Sequence, residues 1–294
     1  LCIHTALVPD SRVASFEKAF TEHTKAVFVE SIGNPKLDVP DIAALAKLCD
    51  AHGAVLIVDA TMATPMLYRP IALGAHLVIH STSKFINGSS SAIGGVLIDG
   101  GRVKWTAERF PALKPYLKFG PPAFLIRLRE SIYRDHGACM PPMHAYLNSI
   151  GLETMAVRME RICDTALKLA TALQQMPGVK EINYPGLSSH PDHDVAKAQF
   201  NGQFGPMFTL RVGTWENAFA VLNALKCCTI ASNIGDARTL VLHPASSIYH
   251  EYSKEDRLKM GVPDDLIRVS VGLEDSDDLL EDFRTALQTV REGG

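Results

Sequence analysis

Apolar residues group along this chain in two rhythms. Continuous runs of strand-forming residues at 26–31, 54–58, 77–79 and 93–99 stop at polar or charged positions, and such runs predict buried strands. Between the first two, Ile42, Leu45, Leu48 and Cys49 recur at helical spacing up to His52-Gly53. That spacing predicts a helix, with Asp38 standing ahead of a first-turn proline, Pro40. Strand, helix, strand implies a right-handed parallel crossover. Residues 16–20, 127–135 and 143–150 also read as helical.

A second region follows. From 153 to 176, Met155, Val157, Met159, Ile162, Ala166, Leu169, Leu173 and Met176 mark one long amphipathic helix that Pro177-Gly178 closes. Strands at 179–184, 206–212 and 267–271 then alternate irregularly with helices at 215–225 and 277–290, which predicts an α+β arrangement. The expected division is a parallel-sheet domain over 1–158 and a smaller α+β domain over 159–294. The intervening stretch 185–205 is rich in His, Pro, Ser and Gly and reads as a solvated loop. His190 and His193 stand three apart within it, but no third ligand lies at a familiar spacing, so no metal site is expected.

The chemistry collects at strand ends. The run 54–58 delivers Asp59, and the run 77–79 leads into His80-Ser81-Thr82-Ser83-Lys84, followed by a tight turn at Asn87-Gly88-Ser89-Ser90-Ser91. An acid and an amine at neighbouring strand ends, with hydroxyls around the amine, suit pyridoxal phosphate. That cofactor needs a lysine for a Schiff base, an acid at its pyridine nitrogen and hydroxyl donors for its phosphate. A surface lysine in a serine-rich turn is the plainer reading of the same residues. The run 26–31 carries Glu30 and leads to Asn34-Pro35 at the same sheet edge, where open α/β sheets bind ligands.

Longer stretches add to this. Phe28-Val29-Glu30-Ser31-Ile32-Gly33-Asn34-Pro35, Val58-Asp59-Ala60-Thr61-Met62-Ala63-Thr64-Pro65, Ser81-Thr82-Ser83-Lys84, His243-Pro244-Ala245-Ser246 and Arg268-Val269-Ser270-Val271-Gly272-Leu273-Glu274-Asp275 occur in this order across nearly the whole chain. With these blocks the sequence resembles the Cys/Met-metabolism enzymes that use pyridoxal phosphate in γ-elimination, γ-replacement and trans-sulfuration. Gly33-Asn34-Pro35-Lys36-Leu37, Trp105-Thr106 and Phe119-Gly120-Pro121-Pro122-Ala123-Phe124 are most similar to the O-acetylhomoserine sulfhydrylases.

The resemblance implies an α/β chain of the aspartate-aminotransferase-like type I fold, with a mostly parallel central sheet and a smaller α+β C-terminal domain. It implies pyridoxal 5'-phosphate bound through Lys84, which also moves protons. Asp59 would face the pyridine nitrogen, Thr61 would sit beside the ring, and Ser81 and Ser83 would bind the phosphate. Asn34, Asn233 and Arg268 would hold the substrate, with the planar guanidinium suited to a carboxylate.

The activity implied is conversion of O-acetyl-L-homoserine and sulfide to L-homocysteine and acetate in methionine biosynthesis. Cystathionine γ-synthase, cystathionine γ-lyase, methionine γ-lyase and a non-catalytic fragment of the same fold are the alternatives. The family assembles as a homotetramer, a dimer of dimers. Its chains begin upstream with a basic segment and a phosphate loop bearing a ring-stacking tyrosine, which residues 1–8 do not match. Three positions depart from its pattern: Ser83 where threonine is usual, Ala60 for asparagine and Met66 where tyrosine is common.

Composition narrows the partners. The 294 residues are 47% hydrophobic and 21% charged with a net charge of −3, ordinary for a globular protein and unsuited to general attraction for nucleic acid or anionic lipid. No apolar run approaches a membrane span. Six cysteines, Cys2, Cys49, Cys139, Cys163, Cys227 and Cys228, form no paired motif, which fits a reducing, cytoplasmic setting.

Overall fold

The computed structural model describes residues 3–290, so Cys2 lies outside the described residues. Four strands form the first sheet in sequential order: β1 (Ala26–Glu30), β2 (Val55–Asp59), β3 (Leu77–Ser81) and β4 (Gly95–Asp99). The first three are parallel, and β4 runs antiparallel to β3. The helix Ile42–Ala51 links β1 to β2 and buries Ile42, Leu45, Ala46 and Cys49. Its N-terminal cap is Asp41, whose side chain accepts from the Ala44 N–H at 2.9 Å, so the cap falls after Pro40 and not at Asp38. A polar side chain one residue before the first turn satisfies a backbone N–H that the helix itself leaves unpaired.

The second sheet has the order β5 (Glu181–Asn183), β6 (Met207–Arg211), β9 (Leu266–Ser270), β8 (Leu240–Leu242) and β7 (Thr229–Ile230). Strands β7 and β8 are parallel and the other pairs antiparallel. Because β9 is central, all five of its side chains are buried. One hydrophobic core reaches from the first sheet, through Leu56 and Val58, to the second, through Phe208, Val241 and Val269.

A single 32-residue helix, Pro142–Leu173, joins the two regions. The stretches 143–150 and 153–176 are therefore one element, unbroken through residue 158. Gly151 lies at the seam. A Cβ there would stand 2.4 Å from Ile86 O and 2.6 Å from Asn87 O, so the glycine permits the helix to pass close to the backbone that follows Lys84.

The expected solvated loop at 185–205 is ordered structure instead. It contains the helix His193–Gln199, and its histidines serve the backbone. His190 is buried and its Nδ1 accepts from Asp192 N at 3.1 Å. His193 Nδ1 lies 2.9 Å from Pro185 O, and its ring stacks on Phe204. Among the described residues no group of three or more His, Cys, Asp or Glu could hold a metal ion.

Candidate active site

Parallel strands β1 to β3 end on one edge, and their register sets the polar residues side by side. Glu30 pairs with Asp59 across β1 and β2, and Asp59 with Ile79 across β2 and β3. Side chains alternate between faces of a strand, and here Ile57, Asp59, Ile79 and Ser81 share the less buried face. Asp59 Oδ1 accepts from Thr61 N at 2.9 Å, which fixes the carboxylate within the turn leaving β2. The Thr61 hydroxyl in turn accepts from Ser81 N at 2.7 Å. Asp59, Thr61 and Ser81 are thus tied into one rigid corner.

Lys84 follows on a wide turn, Thr82–Ile86, in which its own φ of −101° and ψ of −125° leave the helical direction. Arg158 holds this turn from behind. Its Nη1 donates to Phe85 O at 2.8 Å, and its Nη2 donates to Ile86 O at 3.1 Å and Gly151 O at 2.6 Å. Gly235 closes on the same turn from the second region. At φ +78°, a Cβ on it would meet Phe85 N at 2.5 Å and the Lys84 carbonyl carbon at 2.7 Å. Only a residue without a side chain allows that approach at that backbone angle.

The loop bearing Gly235 brings Asn233 to the amine, and Lys84 Nζ donates to Asn233 Oδ1. Burial, followed by the charge of Arg268, pulls the Lys84 amine below its ordinary value. Desolvation disfavours the ammonium ion and a neighbouring cation adds to that effect.

Arg268 lies on β9, 3% exposed. Its Nη1 donates to Asn34 Oδ1 at 3.2 Å and its Nη2 to Asn233 O at 3.1 Å. No carboxylate pairs with it among the described residues, and burial pushes its pKa down to about 10. The structure therefore brings Asn34, Lys84, Asn233 and Arg268 from four distant stretches into one cluster beside the Asp59 corner.

Two serines behave differently from each other. Ser83 Oγ donates to Gly94 O at 3.2 Å and accepts from Gly94 N at 2.9 Å, so its proton is already engaged. The Ser81 hydroxyl makes no hydrogen bond among the described residues. Ala60 is fully buried, which removes it from any pocket lining. Sequence reasoning missed Tyr249, whose OH donates to Asn34 O at 3.4 Å; nothing near position 249 in the chain points to that contact. An open, mainly apolar cleft of about 740 Å³ lies along β4 near Ile79 and Met140, but neither Lys84, Asp59 nor Arg268 lines it. Convergence of side chains, and not depth of cavity, marks the site.

These residues fit pyridoxal phosphate. A carboxylate with one oxygen tied down and the other without a partner among the described residues can face a protonated ring nitrogen, a serine hydroxyl without a partner among them can meet the phosphate, and a desolvated amine can bond the aldehyde carbon.

Fold and cluster together define an enzyme of the type I class that depends on pyridoxal phosphate. A family model for the Cys/Met metabolism PLP-dependent enzymes matches residues 1–288, and the chain belongs to that family. It is 38% identical to O-acetyl-L-homoserine sulfhydrylase 1 of Thermus thermophilus over 290 residues, covering 95% of this chain and 69% of that protein. It is 36% identical to the homocysteine/cysteine synthase of Saccharomyces cerevisiae over 315 residues, covering 99% and 71%. Among solved structures, a Campylobacter jejuni protein assigned as an O-acetylhomoserine (thiol)-lyase carries a pyridoxyl-lysine phosphate. It superposes with a TM-score of 0.90 at 34% identity over 94% of this chain and 69% of that one.

Proposed function

We propose that this protein joins sulfide to the carbon skeleton of O-acetyl-L-homoserine, giving L-homocysteine and acetate. The observation that carries the substrate reading is Arg268, a buried guanidinium with two amide partners and no counter-ion among the described residues. A buried cation left unpaired by its own protein is costly, and the carboxylate of an amino acid supplies the missing charge through two parallel hydrogen bonds. The names of the relatives support the acyl-homoserine substrate, and the sulfide-dependent step follows from them.

Pyridoxal phosphate, when bound, supplies an electron sink that makes loss of the α and β protons accessible. Lys84 would hold the cofactor and then, once freed, carry those protons; an amine depressed by burial and by Arg268 is a better base near neutral pH. Asp59 would keep the ring nitrogen charged. Thr61 would sit beside the ring, with Ser81 as donor to the phosphate. Ser83 would join it after turning its proton from Gly94 O. Asn34 and Asn233 would flank the substrate carboxylate at Arg268. The Cγ–O bond breaks with acetate leaving, and a Cγ–S bond to sulfide replaces it.

Assembly as a homotetramer and a cytoplasmic location belong to the same proposal. Exposed Met143, Tyr146, Ile150 and Val157 form an apolar stripe at helical spacing on the long helix, which suits a subunit interface. Among the described residues no helix is long and apolar enough to cross a membrane, and Cys49, Cys139, Cys163, Cys227 and Cys228 are all free thiols. The test of activity is thiol production from O-acetyl-L-homoserine by the purified protein. Homocysteine that forms only when sulfide is added is the expected result; sulfide-independent release of a keto acid would point to an elimination enzyme instead.

A further inference from the structure

Lys84 is held by one end of the Asn233 side chain, and the other end is held too. Asn233 Nδ2 donates to Ser90 Oγ at 2.9 Å, and Ser90 Oγ donates to Asp236 Oδ2 at 2.5 Å. We propose that Asp236 and Ser90 form a positioning pair that fixes which end of the Asn233 amide faces Lys84, presenting the carbonyl oxygen to the amine. This inference rests on the reading of Lys84 as the reactive amine.

The direction of the chain follows from counting protons. Asp236 is 4% exposed. Burial alone would raise its pKa, but hydrogen bonds from Arg238 and Ser90 outweigh that and leave it below the ordinary carboxylate range. It is therefore ionised near neutral pH and only accepts. Its Oδ1 takes Arg238 N at 2.9 Å and Arg238 Nε at 3.0 Å, while Oδ2 takes Arg238 Nη2 at 3.3 Å and Ser90. Ser90 has one proton and commits it to Asp236. Its oxygen can then only accept from Asn233, so the amide NH₂ must face Ser90. Asn233 Oδ1 is left pointing at Lys84 Nζ. Each bond sets the sense of the next, starting from a charge that cannot donate.

Ser90 is built into this place. It occupies the left-handed region at φ +54°, uncommon for a residue with a side chain. The flanking serines are pinned to Asn87 Oδ1, which accepts from Ser91 N at 3.0 Å and from the Ser89 hydroxyl at 3.1 Å. The tip of the loop after Lys84 thereby meets the loop that carries Asn233. A carbonyl oxygen at the amine favours its charged form and opposes the burial and the Arg268 charge that favour the neutral one. Turning the amide would place a donor there and remove that support.

The experiment is competitive acylation of the full chain with acetic anhydride across a pH range, after hydroxylamine treatment to free the amine, with Lys84 followed by peptide mass spectrometry. Asp236→Asn is isosteric and removes the obligatory acceptor. Ser90→Gly suits the left-handed backbone and removes the bridge. Asn233→Ala removes the amide and sets the full size of the effect. Expected is a Lys84 that titrates lower in all three, and is about three- to tenfold more reactive at a fixed pH below its pKa. Folded Asp236→Asn and Ser90→Gly proteins that titrate like wild type, alongside a shifted Asn233→Ala, would overturn the proposal. The titration needs neither cofactor nor substrate, so failure of the proposed activity would appear separately, as wild-type protein that makes no homocysteine.

Discussion

Arg268 differs from an ordinary arginine at the scale of a single residue. A surface arginine would have water around it; this one has two amide oxygens and a buried site. Charge-assisted hydrogen bonds contribute about 1.5–3 kcal/mol each, so Arg268→Lys, which loses the planar fork, should raise KM for O-acetyl-L-homoserine about 10- to 100-fold with a smaller change in kcat. An unchanged KM would place the substrate carboxylate elsewhere. Asp59, which ends an apolar run, and Lys84, which follows one after a short polar stretch, were candidates in the sequence itself, although a surface lysine was the plainer reading of the latter. Asn34 stood at the ligand-binding sheet edge in the sequence itself, whereas Asn233 and Arg268 gained their assignments through the resemblance. Ser90, Asp236 and Tyr249 carried no signal at all: their contacts join stretches far apart in the chain, and hydrogen-bond partners of that kind are fixed by topology.

At the scale of elements, three pieces of backbone meet at the Lys84 turn: the turn itself, the long helix through Gly151 and Arg158, and the loop through Gly235. Gly235→Ala should displace that loop from the amine. It requires a Cβ 2.5 Å from Phe85 N at φ +78°. Because misplacement of a reacting group by about 1 Å can cost about 100-fold, we expect kcat to fall at least about tenfold while the protein still folds. Wild-type kcat would show that the loop does not position the lysine. Strands β2 and β3 were legible because buried parallel strands are continuous apolar runs, whereas β1 and β4 carry similar runs although Ala26, Phe28 and Glu30 of β1 and Gly95, Val96 and Ile98 of β4 are exposed, and β4 is antiparallel. The long helix was read as two because its glycine looks like a break when its packing partner is out of sight. Strands β7 and β8, two and three residues long, leave too short a period to detect. The helix His193–Gln199 hides among loop-forming residues.

Across the whole molecule, the two sheets share one core, so titration of buried groups reports on global stability. Burial holds His80, His190 and His243 below their ordinary value of 6.5. The folded state thus favours the neutral rings. The unfolded chain binds more protons than the folded one between the lowered values and 6.5, so stability rises with pH through that window. It is fully present above about 6.5 and is lost as pH falls through the folded values. Urea midpoints should accordingly drop between roughly pH 7 and pH 5. Replacing His80, whose Nδ1 donates to Ala60 O at 3.1 Å, with asparagine should flatten part of that slope. A midpoint independent of pH over this range would contradict the assignment of neutral, buried rings.

The account turns on Lys84 as the residue that bonds pyridoxal phosphate. The direct measurement is to incubate the protein with the cofactor, reduce with borohydride, digest, and locate the phosphopyridoxyl group by mass spectrometry. The account predicts the group on the peptide containing Lys84, and its loss from that peptide in Lys84→Arg. Label spread over surface lysines, or retained elsewhere at full stoichiometry in Lys84→Arg, would contradict it.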